Sequence, residues 1–448
     1  MDDRNREEQN VLGRRFGFGS LMRYAAPTMC MMVFMGLYTS VDTVFISRFA
    51  GTDALSALNI CTPVIYTIVG LAGMLAAGAG AIVGRKMGAG DSAGARQTFS
   101  FIAVCGVVLA GVIAGVGLPL HNQMIDGLGA SELLMPYCRD YLILQLVFAP
   151  ANMLAVLFQN FFVTAGRPML GLGLSIAGGL LNVLLDYVFM VPLQMGVMGA
   201  SLGTGIGYMV PAVGGLVFFF RSRGTLYFAR PKFAIRELTE SAANGASELV
   251  AQVSTAITTF LFNRVMMRIA GEDGVAAVTV MIYTQFLLTT LFIGYSMGVA
   301  PIFSYNYGGK NTVQLRQLFR MSVTFIVVAS VAAFVLCMLC GQTIAKIYAQ
   351  PGSAVYEMAR SGFDIFSFSF LFVGSNIFAS AMFTALSNGK VSAAISFLRT
   401  FGFITVLLLI LPVWMGVQGV WLAVPLAELC AFVVALACIF ANRKRYGY

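Results

Sequence analysis

Apolar residues along this chain gather into long blocks, broken by short stretches rich in glycine, proline and charge. About twelve blocks of roughly 20 or more predominantly apolar residues can be marked, at approximately 24–47, 55–83, 97–120, 137–163, 169–191, 197–220, 242–266, 275–304, 321–345, 363–387, 392–413 and 418–441. Each is long enough to cross a hydrocarbon layer ~30 Å thick as a helix. The short connections leave no room for a soluble domain. The pattern predicts an all-α integral membrane protein of twelve transmembrane helices.

A few polar residues interrupt the blocks. In "GGLLNVLLDYVFMVP", Gly178 to Pro192, Asn182 and Asp186 stand four residues apart on one face of the fifth helix. An ionised carboxylate deep in a bilayer costs about 2.5–3.5 kcal/mol on insertion scales, so it faces a partner or a wet cavity. Asp186 lies about 17 residues along its helix and Asp42 about 18 along the first, which puts both ~26 Å from the inner end at ~1.5 Å per residue. Thr204 on the sixth helix reaches a comparable depth, and Gly199 and Gly203 give that helix a small face for close approach. Two carboxylates that approach closely cannot both ionise freely, so such a pair takes a proton or a Na⁺ between them.

Composition strengthens the membrane assignment. With 58% hydrophobic and 10% charged residues in 448, too few ionic side chains exist to wrap the apolar surface in water. The net charge of +9 does not point to nucleic acid, because its distribution is one-sided. Of 28 Lys and Arg, Arg48, Arg139, Arg264, Arg268, Lys346 and Arg360 fall on one side and the rest on the other, among them Arg14, Arg15, Arg85, Lys86, Arg221, Arg223, Arg230, Lys232, Lys310, Arg443, Lys444 and Arg445. That asymmetry predicts cytoplasmic termini in a cell inner membrane. The opening "MDDRNREEQNVLGRRFGFG" runs into the first block without a small-residue cleavage site, as a tail and not a signal peptide. The eight cysteines fall mostly inside apolar blocks, and "CMLC" (Cys337 to Cys340) lacks the further ligands of a metal site.

Sliding the chain along itself by 220 residues superposes Gly51 to Phe99 on Gly271 to Phe319 without a gap, pairing Gly51 with Gly271, Asp53 with Asp273, Gly78 with Gly298, Gly88 with Gly308 and Arg96 with Arg316. "PLQMGVMGAS" (from Pro192) pairs with "PVWMGVQGVW" (from Pro412) at the same offset. The chain is therefore two homologous halves of six helices. An even number of crossings orients them alike, so a pseudo-two-fold axis along the membrane normal should relate two lobes about a central cavity. The expected division is a tail at 1–23, an N lobe at 24–220, a basic linker at 221–241, a C lobe at 242–441 and a tail at 442–448.

"VDTVFISRFAGTDALSALN" (Val41 to Asn59), "NVLLDYVF" (Asn182 to Phe189) and the doubled "GVMGAS"/"GVQGVW" together resemble the multidrug and toxic compound extrusion (MATE) transporters of bacterial type, over essentially the whole chain. The resemblance implies two lobes that rock between outward and inward openings, and export of organic, often cationic, compounds coupled to H⁺ or Na⁺, with no cofactor. It also implies that Asp42, Asn182, Asp186 and Thr204 form an N-lobe cation or proton site. The repeat bears on this within one sequence: Asp42 is matched by Phe262, Thr204 by Val424, and Asp186 by the run Val406 to Leu409. A lobe of this type thus forms without the acidic pair, which argues against mere helix stapling.

The C lobe carries a different stripe. Asn244, Glu248, Gln252, Thr255 and Thr259 follow one face of the seventh helix, and Gln285 and Thr289 one face of the eighth. With Glu248 its strong charge, that face suits a cationic amphiphile, and a helix cap is the alternative. Glu428 resembles the family's less universal acidic positions and would serve the same cavity. Glu248, Gln252, Thr255, Gln285 and Glu428 are accordingly the candidate cargo contacts. Asp364 is expected at the outer mouth of the tenth helix.

Other functions fit less well. "GYSMG" (Gly294 to Gly298) matches a hydrolase elbow pattern but falls inside a helix, and His121, the only histidine, is expected in an outer loop. "NGK" and "GGK" do not make a nucleotide-binding loop. A channel would need filter loops or rings of like charge. A lipid-linked oligosaccharide flippase on a similar frame would want a cavity rich in Arg and Lys, whereas the mid-membrane ionisable residues read as mainly acidic. The expected partners are small-molecule organic cations and drugs and the lipid bilayer, with the chain acting as a monomer.

Overall fold

The computed structural model describes residues 11–222 and 224–448. Residues 1–10 of the expected tail and Arg223 lie outside the described residues. Among the described residues the spans are α1 (Phe18–Phe45, continued by a π-helical turn Ile46–Ala50), α2 (Thr52–Gly88), α3 (Ser92–Gly127), α4 (Met135–Val147 and Ala149–Thr164), α5 (Pro168–Met190) and α6 (Gly196–Arg221). After the linker come α7 and α8, one continuous element Ile235–Gly308 broken at Gly271 into 235–270 and 272–308, then α9 (Thr312–Tyr348). The chain ends with α10 (Ala354–Phe366 and Phe370–Ala385), α11 (Gly389–Phe397, a π-helical turn Leu398–Gly402, and Phe403–Met415) and α12 (Val417–Tyr446). These are the twelve crossings expected, most of them longer at both ends than the apolar blocks. His121 lies within the last turns of α3, not in a loop, and Gly294 to Gly298 lie in the helical interior of α8.

The breaks follow from backbone chemistry. In α4 the two segments meet at 54°, where Pro150 opens the second segment and cannot donate to the helical ladder. Gly271 turns α7 into α8 at φ 62°, a region that costs glycine little. Its partner in the repeat, Gly51 at φ 93°, makes the same turn between α1 and α2. Gly196 and Gly416, another pair at the 220-residue offset, open α6 and α12 at φ 57° and 58°. The duplication is thus copied into the backbone, and α1–α6 and α7–α12 form two pseudo-symmetric lobes.

The lobes meet most extensively where α2 crosses the α7–α8 pair. A Cβ at Gly88 would overlap the Tyr305 carbonyl, and one at Gly308 the Arg85 carbonyl. Arg85 and Tyr305 are themselves 220 residues apart, so the crossing is symmetric too. Bare glycine backbone is what lets these helices touch. At the same end, the face that carries the basic residues, Arg85 pairs with Glu240 at 2.7 Å and Lys86 with Glu237, while Thr98 donates to Glu237. All of these join one lobe to the other.

Two connecting segments lie against this basic face. Residues 11–17 bury Leu12 and Phe16, and the Gln314 amide donates to the Phe16 carbonyl at 3.4 Å. The linker is pinned to the first lobe: the Arg96 guanidinium donates to the Thr225 carbonyl at 3.2 Å, Ala229 N–H donates to Ser100 Oγ at 2.9 Å, and Phe228 stacks on Phe99 with centroids 4.9 Å apart.

Candidate functional site

Helix α5 approaches α6 and α1 closely because Gly178 and Gly179 carry no side chain. A Cβ on Gly178 would stand 2.7 Å from the Gly207 carbonyl, and one on Gly179 would press on Phe34 and Tyr38 of α1. The glycine pair serves close packing, and α5 stays continuous through it. That approach turns the Asn182/Asp186 face inward, to 2% and 0% exposure. On α6, Gly203 and Gly207 lie directly against Asp186 and Asn182, so the carboxylate occupies the space a side chain at 203 would fill.

The four residues that share a depth, and that the family resemblance implies as one site, are adjacent. Asn182 Nδ2 reaches Thr204 Oγ1 at 3.3 Å and Asp186 Oδ1 at 3.4 Å, and the Asp42 and Asp186 carboxyl groups interact directly, side chain to side chain. Asp42 Oδ1, Asn182 Oδ1 and Asp186 Oδ2 are buried and have no hydrogen-bond partner among the described residues. Buried acceptors are normally satisfied, so three unpaired oxygens in one cluster invite an explanation. Tyr38, Tyr141 and Tyr208 stand within electrostatic range of Asp42. Beside the cluster is a cavity of about 360 Å³, including its open mouth, lined by Met35, Tyr38, Gln159, Asn182, Thr204 and Tyr208 among others. Sequence reasoning missed the tyrosines; Tyr38, four residues before Asp42, was the visible signal.

Chemically, the cluster offers two carboxyl groups, an amide oxygen and a hydroxyl, with no Lys or Arg in hydrogen-bond contact among the described residues. A proton shared between the carboxyls, or a small monovalent cation held by the oxygens, would relieve their repulsion and fill the unpaired acceptors.

The C-lobe candidates are more dispersed. Helix α7 begins at Ile235, so Glu248 sits well inside it and is no end cap. Glu248 stands beside Gly73 of α2, where a Cβ would lie 3.4 Å from its own Cβ, and its side chain keeps access to the space between the lobes. Gln252 follows it along the same contact, against Gly70. Thr255 is exposed with its hydroxyl turned to the Ala251 carbonyl, and Gln285 is half-buried on α8. Asn244, the first residue of the expected stripe, faces elsewhere: its amide donates to the Thr384 carbonyl of α10 at 2.9 Å and it is buried. The stripe therefore starts at Glu248, because the ends of α7 and α10 pack together.

Glu428 is buried to 6% exposure and firmly held. Asn376 Nδ2 of α10 donates to its Oε2 at 2.7 Å and to its backbone carbonyl at 2.9 Å, and Arg399 Nη1 stands 3.9 Å from its Oε1. Arg399 corrects two expectations. The charge count along the chain puts it with the basic residues of the inner side, and the mid-membrane ionisable set reads as mainly acidic. In the fold it sits inside α11 beside Glu428 and within electrostatic range of Glu248. A lone arginine several residues into the block 392–413 was the signal.

The MatE family model matches the chain twice, over residues 27–188 and 249–410. The chain is similar to the multidrug export protein MepA of Staphylococcus haemolyticus, at 23% identity over 433 residues that cover 96% of this chain and 94% of the relative. Its fold is similar to that of a multidrug resistance MATE family transporter of the MOP superfamily solved in an outward-facing conformation, with 22% identity, a TM-score of 0.88 and coverage of 95% and 96%. It is also similar to a MOP superfamily transporter from Pyrococcus furiosus whose reversed pocket polarity suggests a different function, with 21% identity, a TM-score of 0.89 and coverage of 96% of both chains.

Proposed function

This chain belongs to the MatE family, and on that premise we propose that it is a secondary antiporter that exports organic cations and related drugs across the cell's plasma membrane in exchange for H⁺ or Na⁺. The observation that carries the reading is the cluster of Asp42, Asn182, Asp186 and Thr204, with its three unpaired buried oxygens against a cavity. The basic face is the cytoplasmic one by its excess of Lys and Arg. The division into an N lobe at 24–220, a linker at 221–241 and a C lobe at 242–441 follows the repeat; residues 225–229 of the linker are bonded to the N lobe and travel with it, while the linker from Ile235 on forms the first turns of α7 and travels with the C lobe.

The mechanism rests on the change in charge. Empty, the carboxyl pair repels itself and strains the packing of α1 on α5; loaded with a proton or Na⁺, the pair is drawn together. Two arrangements of the lobe therefore differ in ion affinity, and a difference of about 1–3 kcal/mol suffices to couple ion and cargo. Cargo binds between the lobes near Glu248, Gln252, Thr255 and Gln285, with Glu428 fixing the wall behind them. The contacts at the basic face break when the lobes rock toward the cytoplasm.

Uptake of a cationic dye into inside-out vesicles, under separately imposed pH and Na⁺ gradients, tests this. Accumulation that depends on one gradient and is lost in Asp42→Asn supports it. Equal accumulation without any gradient would rule out antiport. A lipid-linked oligosaccharide flippase finds less support, since the arginine of α11 stands within the field of two carboxylates, Glu428 and Glu248.

A further inference from the structure

The C lobe holds a charged group that the ion site does not use. Arg399 lies on the π-helical turn Leu398–Gly402, in the middle of an otherwise regular span. A π-turn inserts an extra residue and re-aims the side chains beyond it, and such turns concentrate at functional sites. Here the turn packs against both the α7–α8 pair and α12. Arg399 is thereby brought to Glu428, and its charge reaches Glu248 as well. Its side chain is 19% exposed, so it is not sealed inside the lobe.

The contact with Glu428 is loose. At 3.9 Å it is an ion pair without a hydrogen bond, and Arg399 Nη1 has no hydrogen-bond partner among the described residues. Glu428 is fixed by Asn376 and does not swing to meet it. A guanidinium remains charged at any physiological pH. The arginine thus acts on the two carboxylates chiefly through its charge, and with both carboxylates ionised one positive and two negative groups sum to a single negative.

We propose that Arg399 is a specificity-determining residue: by cancelling one of the two carboxylates it holds the C-lobe cleft at one net negative charge, so that singly charged organic cations are taken in preference to doubly charged ones. The proposal rests on the cleft being the cargo site. A dication placed there leaves one positive charge uncompensated in a poorly hydrated space, whereas a monocation leaves none. The arginine also repels the second positive group directly, which is discrimination by an unfavourable contact.

The test is equilibrium binding of tetraphenylphosphonium and of a bis-quaternary ammonium of similar apolar area to the purified full chain in lipid nanodiscs. The wild type is expected to favour the monocation. Arg399→Gln should move the affinity ratio toward the dication by about tenfold, while Arg399→Lys keeps the original preference. Glu428→Gln should weaken both cations, because Arg399 and Glu248 then cancel. The double variant Arg399→Gln/Glu428→Gln should restore the wild-type preference, since Glu248 alone again supplies one negative charge. If Arg399→Gln does not insert, comparison of Glu428→Gln with the double variant decides the matter. A ratio unchanged in Arg399→Gln, or a double variant that binds as weakly as Glu428→Gln, overturns the proposal. Wild-type protein that binds neither cation would instead overturn the cargo assignment of the cleft.

Discussion

Helices α5 and α11 hold equivalent places in the two lobes, yet the charge each carries into the membrane has the opposite sign. On α5, Asp186 sits in an unbroken helix with Asn182 one turn away, and meets a second acid, Asp42. On α11, Arg399 sits on a π-turn and meets an acid already held by an amide, Glu428. One lobe has an acidic pair with no basic side chain paired to it among the described residues, and the other brings its own arginine. The same six-helix frame thus supports a carboxyl cluster with unpaired buried oxygens and a cluster in which acid and base already face each other. The difference teaches that two lobes of common descent can carry polar clusters of unlike charge, which the proposed function uses for coupling in one and cargo recognition in the other.

Four experiments would break or sharpen that contrast. The largest effect is expected for Asp42→Asn and Asp186→Asn. Each should insert normally, since each removes a charge from the bilayer, and lose gradient-driven export by on the order of 100-fold. Vesicle transport at the wild-type rate in either variant would erase the distinction between the lobes.

Next, Gly203→Ala should cost about tenfold in ion coupling, because a Cβ there collides with the Asp186 carboxylate. Its repeat partner is Ala423, which already carries a Cβ in a buried position. Ala423→Gly should leave coupling untouched, at a helix cost of about 1 kcal/mol. Comparing the two in the same transport assay reads the asymmetry at a single atom.

Smaller again is Asn182→Leu. It removes the amide that joins Asp186 to Thr204, and an unpaired buried group costs about 1–3 kcal/mol. Ion dependence should weaken while surface expression holds, which a gradient titration beside a blot would check. Glu248→Gln is the C-lobe counterpart: monovalent dye binding should weaken about fivefold, with neutral amphiphiles unchanged. Equal loss of both would make Glu248 structural.

The least effect is expected at the closed end. The Arg85–Glu240 and Lys86–Glu237 pairs are partly exposed, and such pairs contribute roughly 0–1 kcal/mol each. Glu237→Gln should therefore change the fraction of molecules sealed at the basic face by less than about fivefold, read as a spectroscopic distance between α2 and α7. A complete opening would mean that the glycine crossings at Gly88 and Gly308 contribute far less than their close packing implies.

Much of this protein can be read along the chain. Block length is a local property, and so are the 220-residue repeat and the spacing of Asn182 and Asp186. Together with the distance of Asp42 from its helix start, they place the two carboxylates at one depth before any fold is known. Glycines at Gly51, Gly196, Gly271 and Gly416 mark the turns for a similarly local reason, since a positive φ there is cheapest without a Cβ.

What the tertiary structure decided is which face of each helix meets which neighbour. Asn244 shares a stripe with Glu248 by periodicity, but the packing of α10 on α7 claims it. The tyrosines at 38, 141 and 208 come from three helices, and nothing along the chain joins them. Arg399 is the sharpest case. It lies within the π-turn 398–402, where the regular 3.6-residue count does not hold, and only the folded contact with Glu428 shows where the charge goes. Depth in the membrane accumulates residue by residue and is written in the sequence; adjacency depends on helices far apart in the chain, and on the few small residues that let them touch.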